Sequence, residues 1–426
     1  MLKQILKQIW KQRRANGWIL LELLIVSIVI WFIIDPIFIT LSNRSISSGF
    51  DYDDVYIVNL GEIPANSPKY NPIESDSINS VTNFYRMWER IRQYQDVDAV
   101  AVSLSHSYPY GGYYSGNSYR SDTLYYPVQT IRFMPDEYFR VMRHKDAHGE
   151  DWKSLEELEL FDNSVFITKD VENYFFKGES GVGKIILSYD STSTFRIAGV
   201  FDYIKMDKSE QPSKLVFRTI HKIEKGNLPD DVTFLIRVKE GTPEKQFIED
   251  FRKNLVGKLQ VGNYFLKSIV SGNKLERDYE YMQGTTNELR TQTGLAIFFL
   301  INIMLGVGGT FWLRSESRRG EIGVRMTFGS SRNQLKWQFI AEGWLMATLA
   351  AIVGFFIVLQ YVYQAGIDIP GKNDYADAYL VNNLPLHFLL ICGITYLLIL
   401  IMVFIGVWFP ATAASKTDVV DAIRDE

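Results

Sequence analysis

Four stretches of this chain, Ile19–Ile34, Gly294–Leu313, Gly343–Tyr363 and Phe388–Phe409, are nearly or wholly free of charge, and a long polar stretch separates the first from the other three. The last three match the roughly 20 residues that a helix needs to cross a hydrocarbon core ~30 Å thick. The first reaches that length only by continuing through Asp35 and Pro36 to about Leu41. Such a pattern describes a membrane protein with four spans and one large polar domain on one side. The mean hydropathy of −0.05 averages these two unlike populations.

Charge sign is also partitioned. Lys3, Lys7, Lys11, Arg13 and Arg14 precede the first span with no acidic residue among them. Between spans two and three lie Arg314, Arg318, Arg319, Arg325, Arg332 and Lys336, against Glu316 and Glu321. The loop between spans three and four is acidic instead, with Asp368, Asp374 and Asp377 against Lys372. Lys and Arg near span ends mark the cytoplasmic side, so both termini and the 314–336 loop are predicted inside. The expected fold is therefore membrane α-helical, with four transmembrane helices and cytoplasmic termini, plus an α+β extracytoplasmic domain.

In order, the layout reads as a cytoplasmic amphipathic helix at 1–17, a first span at 18–41, an outer domain at 42–288 and a second span at 289–313. The cytoplasmic loop 314–336, a third span at 337–363, an outer loop at 364–386, a fourth span at 387–409 and a cytoplasmic tail at 410–426 complete it. Asp35-Pro36 stands where small cleavage-site residues would be needed, so the first span reads as an uncleaved anchor. The single cysteine, Cys392, falls in the fourth span, which leaves the outer domain to depend on its own core.

Two strand–helix–strand patterns bracket the outer domain: Val55–Asn59, Ser80–Tyr94 and Val97–Ser105, then Val232–Lys239, Pro243–Leu255 and Tyr264–Val270. Such units pair into a split-βαβ layer, with about 107–225 as an inserted β-rich subdomain. Polar, helix-prone Leu275–Arg290 runs into the second span and predicts a continuous helical stalk.

Several motifs carry a functional reading beside a bland one. Gly178–Ile185 nearly spells a phosphate loop, but the last position is Ile, so no hydroxyl can hold Mg²⁺, and strand-like residues follow. His144 and His148, four apart, lack an evident third ligand and read as solvated histidines. Glu22, Asp35 and Glu342 sit near predicted interfaces, where snorkelling or a helix–helix hydrogen bond accounts for them. The tyrosine-rich segment containing Tyr110, Tyr113 and Tyr114 suits a substrate or partner contact, or equally a hairpin packed on the subdomain. No nucleophile–base set or metal-ligand cluster stands out, and nothing points to nucleic acid.

The most specific signal is the run Arg318, Glu321, Ile322, Gly323, Val324, Arg325, Phe328, Gly329 and Ser331, followed by Glu342. Generic loop chemistry does not require it, although Glu321 and Arg325 can pair at i,i+4 on a short helix. It resembles the loop of MacB/FtsX/LolC-type ABC permeases, the mechanotransmission class, which reads R-x-x-E-I-G-I/V-R-R/K-A-L/F-G-A-S and then a Glu as the third span begins. Met326-Thr327 departs from that pattern. The tail, Phe409-Pro410-Ala411 through Ala422, Arg424 and Glu426, resembles the family ending, with Val419 in place of an inner proline. Phe176–Val200 is similar to the family's outer-domain pattern F-G-x-x-x-x-G-K, which accounts for the false phosphate loop.

The resemblance implies a dimer, of identical chains or of paired paralogues, with two cytoplasmic ABC ATPase subunits bound beneath it. The 321–329 segment would be the coupling helix, with Glu321, Gly323 and Arg325 at its contacts and Glu342 and Pro410 as structural membrane-interface residues. No catalytic residue and no cofactor is expected on this chain, because ATP–Mg would sit on the partner ATPase. Motion would pass through the second span and stalk to a porter-like outer layer in the periplasm of a bacterial inner membrane, driving export or extraction of a substrate. An alternative is an FtsX-like regulatory permease that switches a periplasmic partner such as a cell-wall hydrolase. A further periplasmic or outer-membrane partner is compatible with either.

Overall fold

The computed structural model describes residues 13–112, 115–147, 151–161, 163–317, 319–375 and 379–415. The first half runs α1 (Arg13–Ser45), β1 (Val55–Glu62), α2 (Ser77–Arg92), β2 (Val97–Leu104), β3 (Ser115–Ser121), β4 (Leu124–Met134), β5 (Ser164–Thr168) and α3 (Lys169–Phe176). Then come β6 (Ile185–Ser188), β7 (Thr194–Phe201), β8 (Leu215–Thr219), β9 (Val232–Val238), α4 (Glu244–Leu255), β10 (Tyr264–Ser271) and α5 (Gly272–Met282). The chain ends in α6 (Thr285–Ser317), α7 (Arg319–Thr327), α8 (Arg332–Ala365) and α9 (Leu384–Ser415). Two compact units result: a helical one of 1–42, 286–369 and 379–426, and an outer one of 43–285 and 370–378.

In the outer unit one ten-stranded sheet runs β10-β1-β9-β2-β4-β3-β6-β7-β5-β8. Its first four strands pair antiparallel throughout, so the two strands of each strand–helix–strand unit have a strand of the other unit between them. Alternation explains the double burial of this part. Tyr56, Val58, Val100, Val102, Phe234 and Ile236 face one core, while Val55, Ile57, Ala99, Ala101 and Leu235 face another. The first core is roofed by α2 and α4. Asp76 caps α2 by accepting from the Asn79 amide at 2.7 Å, and Phe84, Met87 and Ile91 point inward. Phe247, Phe251 and Leu255 do the same from α4 at i, i+4, i+8.

The remaining six strands close on themselves. β4, besides pairing with β2 and β3, pairs in parallel with β8, so β4-β3-β6-β7-β5-β8 forms a ring. Val128, Val165, Ile167, Ile186, Phe195 and Val216 fill it. The 107–225 segment thus extends the main sheet and then curls into a barrel.

Among the described residues, the helical unit contains four helices of 32 to 34 residues that are apolar enough to cross a membrane. The first continues through Pro36, as its length required. Small residues set the closest approaches. A methyl group at Gly406 would stand 2.6 Å from the Met304 carbonyl oxygen, and one at Gly308 would stand 3.0 Å from that of Gly406. The proline at 410 leaves the Gly406 carbonyl without its usual helical donor, which suits a carbonyl pressed against the neighbouring backbone.

Two expectations need correction. The 275–290 stalk is not one helix: α5 ends at Met282, Gln283 caps it with its backbone N–H bonded to Tyr279 O, and Gly284 adopts φ +79 before α6 begins. A left-handed glycine terminates a helix however helix-prone its flanks are. The helix of the fourth span, expected over 387–409, does not stop at Pro410. This proline lies buried within α9, which runs on to Ser415 while Ala411 and Ala414 join the helical core.

Candidate coupling site

The short helix α7 lies between α6 and α8, and the reason it forms there is local. Gly329 occupies the turn after it, and Ser331 then caps α8 with a reciprocal capping box to Gln334. Below the turn, Arg325 Nη1 donates to Gln338 Oε1 at 3.0 Å and ties α7 to α8. Deeper still, Arg314 Nη1 donates to Glu342 Oε1 at 3.1 Å, with both side chains more than nine-tenths buried, and joins α6 to α8. Removing one partner of such a buried pair costs about 3–5 kcal/mol, so the α6–α7–α8 hairpin is held firmly at its base. Lys336 lies over the Trp408 ring and adds a contact to α9.

The faces of α7 differ sharply. Ile322 is 4% exposed and belongs to the helical core, with Met326 packed beside it one turn on. Val324 and Phe328, also one turn apart, are 48% and 87% exposed. Ile322 is therefore corrected from a partner contact to an anchor, because the helix needs an apolar face toward the bundle. The backbones of Glu321 and Gly323 lie within α7; Arg318 lies outside the described residues. Glu342 lies in the first half of α8, with Arg314 as the partner that counting charges in the loop had hidden. A Glu at the mouth of an apolar span was the available signal, since it had to find a cation.

The tyrosine-rich segment divides. Tyr113 and Tyr114 lie outside the described residues. Tyr110, at 2% exposure, is a core residue and not a contact: its ring packs with Phe50, Tyr52 and Tyr279 over the sheet face where Ala99 and Ala101 leave room. His144 is likewise buried and not solvated. Its ring sits among Tyr138, Phe201 and Phe217, with Nδ1 3.0 Å from Gly49 O. Burial pulls its pKa down to about 4 despite that hydrogen bond. His148 lies outside the described residues. The Gly178–Ile185 loop leads from α3 into strand β6, and Lys184 pairs with Glu179 at 2.9 Å.

Sequence reasoning did not single out Asn373, which belongs to the outer unit. Its amide nitrogen donates to Asp170 Oδ2 and Pro212 O, both at 3.0 Å, and its backbone N–H to Gln211 Oε1. Tyr375 follows, edge-on to Tyr126 and Tyr174.

Four long apolar helices, a helical hairpin between the second and third, and a large outer α+β domain define a membrane protein of permease type. Residues 293–419 match the model for the FtsX-like permease C-terminal region, and residues 23–254 match that for the MacB-like periplasmic core domain. The chain belongs to the MacB/FtsX type of ABC transporter permease. The macrolide export ATP-binding/permease protein MacB of Acinetobacter baylyi is 23% identical over 301 residues, 70% of this chain and 42% of that protein. The MacB of Bradyrhizobium diazoefficiens is 29% identical over 132 residues, 31% of this chain and 18% of that protein. The chain thus spans less than half the length of these curated relatives. The periplasmic region of MacB from Actinobacillus actinomycetemcomitans aligns at a TM-score of 0.32 and 10% identity, over 53% of this chain and 92% of that one.

Proposed function

We propose that this protein is the transmembrane subunit of an ABC transporter in a bacterial inner membrane and carries the motion of a cytoplasmic ATPase to its outer domain, to export or extract a periplasmic substrate. The observation that carries this reading is α7. It presents exposed Val324 and Phe328 on a helix anchored in the bundle by Ile322 and tied to α8 by Arg325–Gln338, above an α6–α8 pair held by Arg314–Glu342. Large apolar side chains held out on a rigid support suit docking into a partner's groove. The basic loop around α7 supports a cytoplasmic location. The relatives' names, ATP-binding/permease, give the class of that partner.

A second copy of the chain fits the outward face of α6. Leu295, Phe298, Asn302, Leu305, Gly309 and Trp312 recur at alternating three- and four-residue steps, all exposed. An amide among lipid-facing residues is favoured where another helix can meet it.

Co-purification tests the coupling role. Glu321→Lys and, separately, Phe328→Asp should abolish ATPase capture while membrane insertion is kept, and for exposed Phe328 thermal stability should stay within about 0.5 kcal/mol of wild type. Capture unchanged in both variants would remove α7 as the docking element.

A further inference from the structure

The outer unit contains a cavity of about 380 Å³ lined in part by Pro127, Gln129, Glu210, Pro212, Lys214 and Lys372. That volume lies toward the small end of the ~300–1,000 Å³ of ligand sites. Its walls come from β4, from the stretch leading into β8 and from Gly371 and Lys372, beside Asn373, whose hydrogen bonds secure this stretch. The charged groups within it are poorly matched to one another. The Glu210 side chain has no hydrogen-bond or ion-pair partner among the described residues. Burial, and next the nearby Asp207, push its pKa up, with Lys205 opposing. The Lys214 ammonium rests over the Tyr126 ring at 5.2 Å and likewise has no ion-pair partner among the described residues. Gln129 Oε1 is buried with no donor. Lys372 pairs with Asp374 at 2.9 Å.

A carboxylate and a buried amide oxygen ask for a cationic donor, while an ammonium in the same cavity asks for an anion. Gln129 Oε1 is buried and unsatisfied, and half-buried charges of both signs line the same space, so together they point to what fills it. We infer that this cavity binds a small zwitterion of the amino-acid type, its ammonium held by Glu210 and Gln129 Oε1 and its carboxylate by Lys214. Both charges must fit within one cavity, which restricts the ligand to a free amino acid or a very short peptide. This site is independent of the coupling role of α7.

The test is calorimetric titration of the detergent-solubilised full chain with alanine, alanylalanine, N-acetyl-alanylalanine and alanylalanine amide. Alanine or alanylalanine should bind, and capping either end should weaken binding about tenfold or more, the usual scale of one charge-assisted hydrogen bond. Glu210→Gln should weaken the free zwitterion while changing little for the N-acetylated form, and Lys214→Met should do the same with respect to the amide. A preference for alanine over alanylalanine, or the reverse, identifies a free amino acid or a short peptide as the natural size class. No binding of either free zwitterion, equal binding of capped and uncapped forms, or acetate binding as tightly as alanine would overturn the assignment.

Discussion

The helical and outer units both bury charge, and they solve the resulting problem with different partners. Among the described residues of the helical unit, buried ionisable groups meet other side chains: Arg314 meets Glu342, and His387 Nε2 lies 2.6 Å from Asp35 Oδ1. In the outer unit, buried cations are surrounded largely by main-chain carbonyls. Arg237 donates to the carbonyl oxygens of Val141, Asp53 and Asp51 as well as to Asp51 Oδ2. Lys205 donates to those of Asn43 and Lys208. Helices have already committed their carbonyls to the i→i+4 ladder, so a charge between helices can be met only by a side chain. Loops at sheet ends retain free carbonyls, and a long cation can satisfy several of them at once.

This contrast is open to attack by substitution. The largest expected effect is at Arg237. Arg237→Met leaves three carbonyls and Asp51 without their donor and should lower stability by about 3–5 kcal/mol in urea unfolding, with no second substitution able to restore it, since the lost partners are main chain. Glu342→Ala should cost about 3 kcal/mol, and here the loss should be recoverable. The pair Arg314→Met with Glu342→Leu should unfold within about 1 kcal/mol of wild type, because apolar groups can replace a matched ion pair. Equal rescue at both sites, or at neither, would break the comparison.

The smallest effect concerns pH. The His144 pKa falls from 6.5 to about 4 on folding, so the unfolded chain binds the extra proton between those values. The stability of its neutral form is fully present above pH 6.5 and is lost as pH falls toward 4. Buried Asp170, pushed up from 3.8 to about 6, acts oppositely across much of that window. Wild-type stability alone therefore mixes the two. The difference between wild type and His144→Gln should fall by about 1 kcal/mol from pH 6.5 to about 5.5. A flat difference would show that His144 does not carry the acid sensitivity.

Residue order made much of this visible, and each success and failure has a physical cause. The helix at 243–255 and the short apolar runs of β1, β2 and β9 are short-range patterns, so they could be read directly. The buried state of Tyr110 could not, because it depends on Ala99 and Ala101 leaving space on a sheet face formed by strands far apart in the chain. Ile322 and Val324 illustrate the same limit on α7. Both are apolar and two residues apart, yet only the packing of α7 on the bundle decides that one anchors and the other is presented. Gly284 was legible as a glycine, but its left-handed conformation ended a helix that its neighbours favoured.

By itself, the sequence determined the four spans, the charge asymmetry across them, the placement of the large polar domain after the first and the family motif, because hydrophobic length and charge sign act locally against the bilayer. Only the tertiary structure decided which buried ions meet which partners, that the 107–225 insert closes as a barrel on β4–β8 pairing, and that Asn373 joins the outer unit. Those outcomes rest on contacts between segments distant in the chain, and their energies exist only once the backbone has brought the groups together.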